Sequence, residues 1–417
     1  MERKLKYDVV VIGGGAAGIS AAIGAKKRGQ SVVLIERSSC LGGQATNANV
    51  ASYCGFFTSG SEPKQIIGGV GQMVLDKLAA IGKYDGYRLS TVGNAIVPLD
   101  SEALKFVLDE LVLENEIPTL LYCTLIKAKT ENSKITMIEC VDDMGSIFIE
   151  GKAFVDASGD GNLAYLSGAE IIFGNPGGTT QMSTNVMRIG NFDIGIKLSP
   201  DVIEKAVQAA KKDGFKNLSK DTGIIFKVAQ YGYAILPSVQ VDSLDCAVLT
   251  ACEMNTRRQA QEYIQAFRKY IPGMENCILV STGPKLGIRE TRHIVGKYTL
   301  SLDEVLNAVK NERGIARGAW PCENHQKLDK MAEYLWVKEN DYYDIPIDIL
   351  MSKNIKNLWS AGRTVSADSM AFASVRVMGI SFGTGHAAGV GAAYMAEYEE
   401  IDVDSIKSEL KKQGAIL

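Results

Sequence analysis

Residues 7–36 read YDVVVIGGGAAGISAAIGAKKRGQSVVLIE, and this stretch decides the fold. Tyr7 to Ile12 is a short β-branched apolar run, the signature of a strand buried in a parallel sheet. Gly13 to Gly18 follow at once as GGGAAG, Ile19 to Arg28 have helical composition, and Gly29 ends that helix. Ser31 to Ile35 give a second buried strand, closing on Glu36, 18 residues beyond Gly18. The order is strand, GxGxxG, helix, strand, acid. Each part has a mechanical reason: Gly13 permits the tight turn, Gly15 lets the backbone reach a pyrophosphate, and Gly18 lets helix pack on strand. The peptide groups of Ala16 and Ala17 fall at the helix start, where unpaired N–H groups meet phosphate. Glu36 stands where an acid accepts ribose hydroxyls, with Arg37 beside it. The unit predicts an adenine dinucleotide and leaves the choice between NAD and FAD open.

Working outward, the next segment is Leu41-Gly42-Gly43-Gln44-Ala45-Thr46. A second glycine pair so soon after the ribose acid suits a flavin, whose ribityl chain and ring run on from the pyrophosphate and need main chain close by. A surface turn is the plainer alternative. Near the other end, Asn357 to Arg363 read as a late strand ending in a turn at Gly362 and Arg363. The run Met378 to Gly389, with Gly383 and His386 in it, then opens a helix of small residues. A helix start aimed at a reduced flavin stabilises its negative charge, while small residues also allow tight packing.

Taken together, VVVIGGGAAGISAA, ERSSCLGGQAT, FVDASGDGNLA, LGIRETRHIVGKYTL, YYDIPIDIL and NLWSAGRTVSADSMAFASVRVMGISFGTGHAAG resemble the FAD-dependent oxidoreductase family, related to fumarate reductase and glutathione reductase flavoproteins. The resemblance spans nearly the whole chain. It implies an α/β fold with a glutathione-reductase-like Rossmann domain, a β-meander, an inserted mixed α+β substrate or cap domain, and non-covalent FAD. The chain departs from the family in carrying His386 where Gln is common. It also has no His in 40–55, where related enzymes attach flavin covalently. By the same resemblance, Asp160 and its glycines lie near the cofactor, with helix capping as the alternative, and His325 lies on the flavin's substrate side.

The 417 residues exceed what one core usually serves, and the expected division is 1–174 and 341–417 for the FAD domain and 175–340 for the cap. Ser101 to Glu116 should be an amphipathic helix, followed by a meander near 119–129, 134–141 and 146–150 and a separate buried strand over 153–157. Helices are expected at 199–213, 252–270 and 301–310. The 46% hydrophobic and 22% charged composition is globular, and 42 Gly against 10 Pro, clustered and not repetitive, marks places of close backbone approach. A net charge of −3 gives no support for nucleic acid, and no apolar run approaches bilayer-spanning length. Eight scattered cysteines without CxxC argue against a metal site and for a reducing cytoplasm.

The densest titratable cluster is Gly287 to His293, read as helical, which puts Arg289 and His293 one turn apart. Arg289 there would clamp a carboxylate or developing negative charge, and His293 would shuttle protons; an Arg–Glu pair docking the cap is the alternative. Arg376, ahead of the last glycine cluster, is a further candidate, and Cys54 follows the second glycine pair. The expected activity is hydride transfer between a small organic substrate and FAD. A flavin monooxygenase and a flavin subunit feeding a redox partner protein are the alternatives; homo-oligomerisation is left open.

Overall fold

A computed structural model describes residues 3–90, 92–326 and 332–417. The stretch that opened the reading forms strand Arg3–Ile12, helix Ala16–Lys27 and strand Val32–Ile35, with Val9 to Ile12 paired in parallel to Val32 to Ile35. The central sheet has seven strands. Thr119–Leu120 lies outside Val32–Ile35, and Gly145–Asp156 runs along the other side of Arg3–Ile12, both in parallel.

The segment 146–157 departs from expectation. Two strands were expected there, and the chain makes one, Gly145–Asp156. Its first half pairs antiparallel with Lys134–Asp142 and its last three residues pair in parallel with the late strand Leu358–Ser360. Gly151 marks the handover, where a Cβ would stand 2.7 Å from the Phe154 ring and 2.8 Å from Val10. Likewise, 119–129 divides into Thr119–Leu120, in the parallel part, and Thr124–Glu131, in the antiparallel meander.

Helix Ala16–Lys27 packs against the late helix Met378–Tyr398, so both ends of the chain build one layer. The packing is backbone on backbone: a Cβ on Gly385 would stand 2.1 Å from the Ala17 carbonyl, and one on Gly389 would stand 2.0 Å from that of Ala21. The small residues of the late helix therefore have a packing role irrespective of any ligand.

A second hydrophobic cluster, including Met187, Ile203, Val207, Tyr263 and Phe267, lies between a four-stranded antiparallel sheet and helices Pro200–Lys212 and Cys246–Tyr270. It runs from Met187 to Cys277, whereas Leu300, Ile315, Trp320 and Val337 belong to the main cluster. The expected span 175–340 includes residues 327–331, which lie outside the described residues. Among the described residues no helix is long and apolar enough to cross a membrane.

Candidate functional site

A cleft of about 1150 Å³ runs from the end of the second strand, past the glycine turn, to the second cluster. It exceeds the usual range for small-ligand sites, about 300–1,000 Å³. Its first wall is main chain. Gly13 has φ +104°, and a Cβ there would meet the Ala157 carbonyl at 2.3 Å, so only glycine makes the turn. Gly18 serves packing: a Cβ on it would lie 1.7 Å from the Gly13 carbonyl. Gly15, Ala16 and Ala17 line the cleft, and the helix that they begin has no side-chain cap. Opposite, Gly43 has φ +58°, and a Cβ on it would stand 3.0 Å from the Gly15 Cα. Main chain therefore forms this part of the cleft wall, and the uncapped helix start beside it leaves N–H groups of the kind that hold a diphosphate.

The acid closing the second strand is held in place. The Glu36 carboxylate accepts from Gly14 N through Oε2 and from Ser38 N through Oε1, both at 2.7 Å. Its side chain is therefore fixed on the cleft wall, with further lone pairs for ribose hydroxyls. Arg37 pairs with Asp160 at 3.0 Å, and Asp160 also accepts from Thr291 Oγ1 and lies 3.6 Å from Arg363. Asp160 thus ties three remote segments together at the cleft. Gly362, Arg363, Gly42 and Gln44 line it too, whereas Ala45 and Thr46 are turned into the protein, Thr46 donating to the Leu41 carbonyl. Lys285, whose Nζ donates to Ser38 Oγ at 2.6 Å, escaped the sequence reading, as did Asp156. That carboxylate is fully buried and accepts from Ser158 and Ala164 N, shaping the turn that presents Asp160.

The late helix starts at Met378 on an uncapped Val377, and Val377, Met378 and Ser381 line the cleft. Two expected contacts on it are not there. Gly383 faces Ala316 and Ile67, away from the cleft. His386 lies more than two turns into the helix, where its Nε2 meets Gln413 Oε1 at 2.8 Å and burial pushes its pKa down to about 4. A Cβ on Gly24 would touch its ring, so His386 is packing between helices and not a titrating group at the helix start.

The segment 287–293 is extended, not helical, and its last residues join strand Arg292–Ile294, paired with Ile171–Phe173. That separates the residues a helix would have gathered. His293 is buried against Phe372, ring centroids 5.1 Å apart, with Nε2 3.2 Å from the Gly174 carbonyl, and is not at the cleft. Arg292 turns to Asp160, Asn162 and the Tyr165 ring. Arg289 does line the cleft, its Nη1 donating to the Met182 carbonyl and Thr184 Oγ1. Burial, aided by Arg376, pushes its pKa down to about 10.

Arg289 meets Arg376, Glu323, His325 and Tyr334 at the cleft's far end. Glu323 is the centre: Oε1 accepts from His325 Nε2 at 3.0 Å and Tyr334 OH at 3.1 Å, and Oε2 from Trp320 Nε1 at 3.0 Å. Burial works to raise the Glu323 carboxyl, but the His325 contact and the charges of Arg376 and Arg289 outweigh it and hold it well below the usual carboxylate range. The same burial and Arg289 push His325 down to about 3 against the pull of Glu323. The group is therefore two guanidinium cations, one carboxylate and a neutral imidazole at neutral pH, a net positive end wall. Ile225, Phe226, Tyr233 and Ile96 contribute apolar surface to the same cleft. Cys54 lines it as an inert thiol, its pKa pushed up to about 12 by burial. Glu323, Tyr334 and Gln181, which accepts from Arg376 at 3.2 Å, were not singled out from sequence. The one signal was Glu323 and His325 two residues apart, the first on strand Cys322–Asn324 and the second just past its end.

Comparison with known proteins identifies the family. A family model described as FAD dependent oxidoreductase matches residues 8–411. A protein of Emericella nidulans, the FAD-dependent oxidoreductase dbaF, is 58% identical over 41 residues, 10% of this chain and 9% of that one. The match therefore spans less than a tenth of the relative's length. Among solved structures, BexE, studied for oxidation during BE-7585A biosynthesis, superposes with a TM-score of 0.51 at 11% identity, covering 98% of this chain and 66% of its own. CabE, an aromatic hydroxylase from angucycline biosynthesis, gives 0.50 at 10% identity, covering 98% and 65%. The chain thus spans just under two thirds of the length of either structure, and at such identities the likeness is one of fold.

Proposed function

Because the chain belongs to the FAD-dependent oxidoreductase family, we propose that this flavoenzyme oxidises or reduces a small organic anion, with hydride passing between that substrate and non-covalently held FAD. Bound FAD supplies the hydride exchange. The rest is done by the chain. The N–H groups that open helix Ala16–Lys27 take the diphosphate, the Glu36 carboxylate takes the ribose, and the uncapped start of helix Met378–Tyr398 meets negative charge on the ring system. Arg289 and Arg376 bind and orient the substrate's anionic group. Glu323 holds His325 and Tyr334 in place and keeps the two cations from repelling each other. His325, neutral near pH 7, positions and does not supply a proton in this reading. We assign the sheet-and-helix unit around Met187 to Cys277 the role of cap on a glutathione-reductase-like FAD domain.

The observation that carries the proposal is the pair of partly buried guanidinium groups, Arg289 and Arg376, that line the cleft near one carboxylate, Glu323. Titrating the FAD-loaded protein with benzoate and with neutral benzyl alcohol, while following the visible flavin band, tests it. Benzoate should perturb the band, and R289M and R376M should each weaken that binding at least about tenfold, the loss of one charge-assisted contact. Equal response to both probes, or to benzoate in wild type and both variants, would refute it. Anaerobic bleaching of the flavin by substrate separates hydride transfer from an oxygen-requiring hydroxylation.

A further inference from the structure

One wall of the cleft has no role above, and it is the face of a two-stranded ladder. Strands Ile225–Val228 and Tyr231–Ala234 pair antiparallel, with Phe226 opposite Tyr233 and Ile225 opposite Ala234. Ile235 N donates to the Ile224 carbonyl at 3.0 Å, which carries the same register one step further. Opposite residues share a face, and faces alternate along a strand. Ile224, Ile235, Phe226 and Tyr233 therefore stand together on one face, and all four line the cleft.

The fold does not need large apolar groups on that face. Ile225 and Ala234, on the opposite face, are buried in the second hydrophobic cluster and secure the ladder. Ile224, Phe226 and Ile235 keep part of their surface open. Ala51 and Val186, which cluster with Tyr233 and Phe226, line the cleft as well and extend its apolar surface. Partly open apolar groups on a concave wall are what an apolar ligand covers. The Ile235 end of the face lies toward the arginine pair. Lys220 Nζ is 3.4 Å from the Ile235 carbonyl and feels the charges of Arg289 and Glu323. Arg289 also donates to Thr184, whose strand partner Ser238 is three residues beyond Ile235.

We propose that the substrate joins its anionic group to an elongated apolar body, which lies along Ile235 and Ile224 and reaches Phe226 and Tyr233. The two pairs are two residues apart along the chain, about 7 Å, so a short-chain acid cannot cover both. The anionic end rests on the function proposed above; the apolar body rests on this face alone.

The test measures Kd by calorimetry on FAD-loaded protein, for butanoate and octanoate and for the matching alcohols, 1-butanol and 1-octanol. The four added methylenes should tighten binding at least about twentyfold in both series. F226A should weaken octanoate at least about fivefold and leave butanoate within twofold. I235A, the second variant should F226A fail to fold, should weaken octanoate likewise. Acids that bind no tighter than the alcohols, with the length gradient intact, would refute the arginine reading and leave the apolar body standing. No gradient in either series, or a gradient that neither variant reduces, overturns the proposal. So does weaker FAD binding in both variants without a gradient in the acids, since the face would then belong to the cofactor.

Discussion

Lys220 should be a liability to the fold, and replacing it with methionine should stabilise the protein in a pH-dependent way. It is 5% exposed, and its Nζ reaches one carbonyl, that of Ile235, at 3.4 Å. Burial, reinforced by Arg289 and opposed by Glu323, takes its pKa from 10.5 down to about 7. A fall of about 3.5, at about 1.36 kcal/mol per pKa unit, sets an upper bound of about 5 kcal/mol on what protonated Lys220 costs the native state. Between pH 7 and 10.5 the unfolded chain holds this proton and the folded chain releases it, so stability rises with pH across that window. The contribution is complete above the unfolded pKa, is lost as pH falls, and is gone once the folded pKa is passed. K220M never carries the charge and lacks the slope. Allowing for the weak bond lost to Ile235, it should exceed wild type by about 2–4 kcal/mol at pH 7, and the gap should close by about pH 10. Urea unfolding of the two FAD-loaded proteins at several pH values between 6.5 and 10 measures this, because titrations common to both cancel in the difference. Parallel stability curves would show that Lys220 stays charged in the native state, and would refute the account of its surroundings.

Two further outcomes follow from the cleft. G43A puts a Cβ at a φ of +58° and into the space facing Gly15, so the protein should purify with little flavin and bind added FAD at least about tenfold more weakly; the ratio of visible to ultraviolet absorbance reads this directly. E323Q removes the charge that offsets Arg289 and Arg376 and weakens the bonds from His325, Tyr334 and Trp320, which should lower stability by about 1–3 kcal/mol while tightening benzoate binding, since the end wall gains a net charge. A variant as stable as wild type, with unchanged anion affinity, would mean that the carboxylate does not compensate the pair.

The sequence made the nucleotide half of this molecule legible because main chain does the work there. A turn that must be Gly13 and a packing contact that must be Gly18 are each dictated within a few residues, so they leave a local trace. Glu36 is legible for the same reason, as the residue directly after a strand that the apolar run already announces. The late helix was legible as an element but not in its facing. Its small residues serve contact with Ala17 and Ala21, and the register that turns Gly383 and His386 away from the cleft is set by that contact, not by anything adjacent in sequence.

The far end of the cleft obeys a different logic, and there local reading misled. Gly287 to His293 contain nothing that forbids a helix, but pairing of Arg292 to Ile294 with Ile171 to Phe173 decides the matter from more than a hundred residues away. Glu323 meets Tyr334 because two short strands pair, and meets Arg289 and Arg376 because three segments converge. Side chains gathered this way share no spacing rule, but they do share a physical cost. Lys220 and Arg289 have depressed pKa values, Glu290 is pushed up to about 7 by burial, and the Asn94 carboxamide has no partner among the described residues. Burial also shifts Lys285, Arg363 and Asp156 near the glycine turn, but there partners close at hand in the chain meet them. A protein retains that disadvantage where something outside the chain relieves it. The proposed anion site at Arg289 and Arg376 is of this second kind, and the glycine motifs that point to the cofactor carry no information about the substrate.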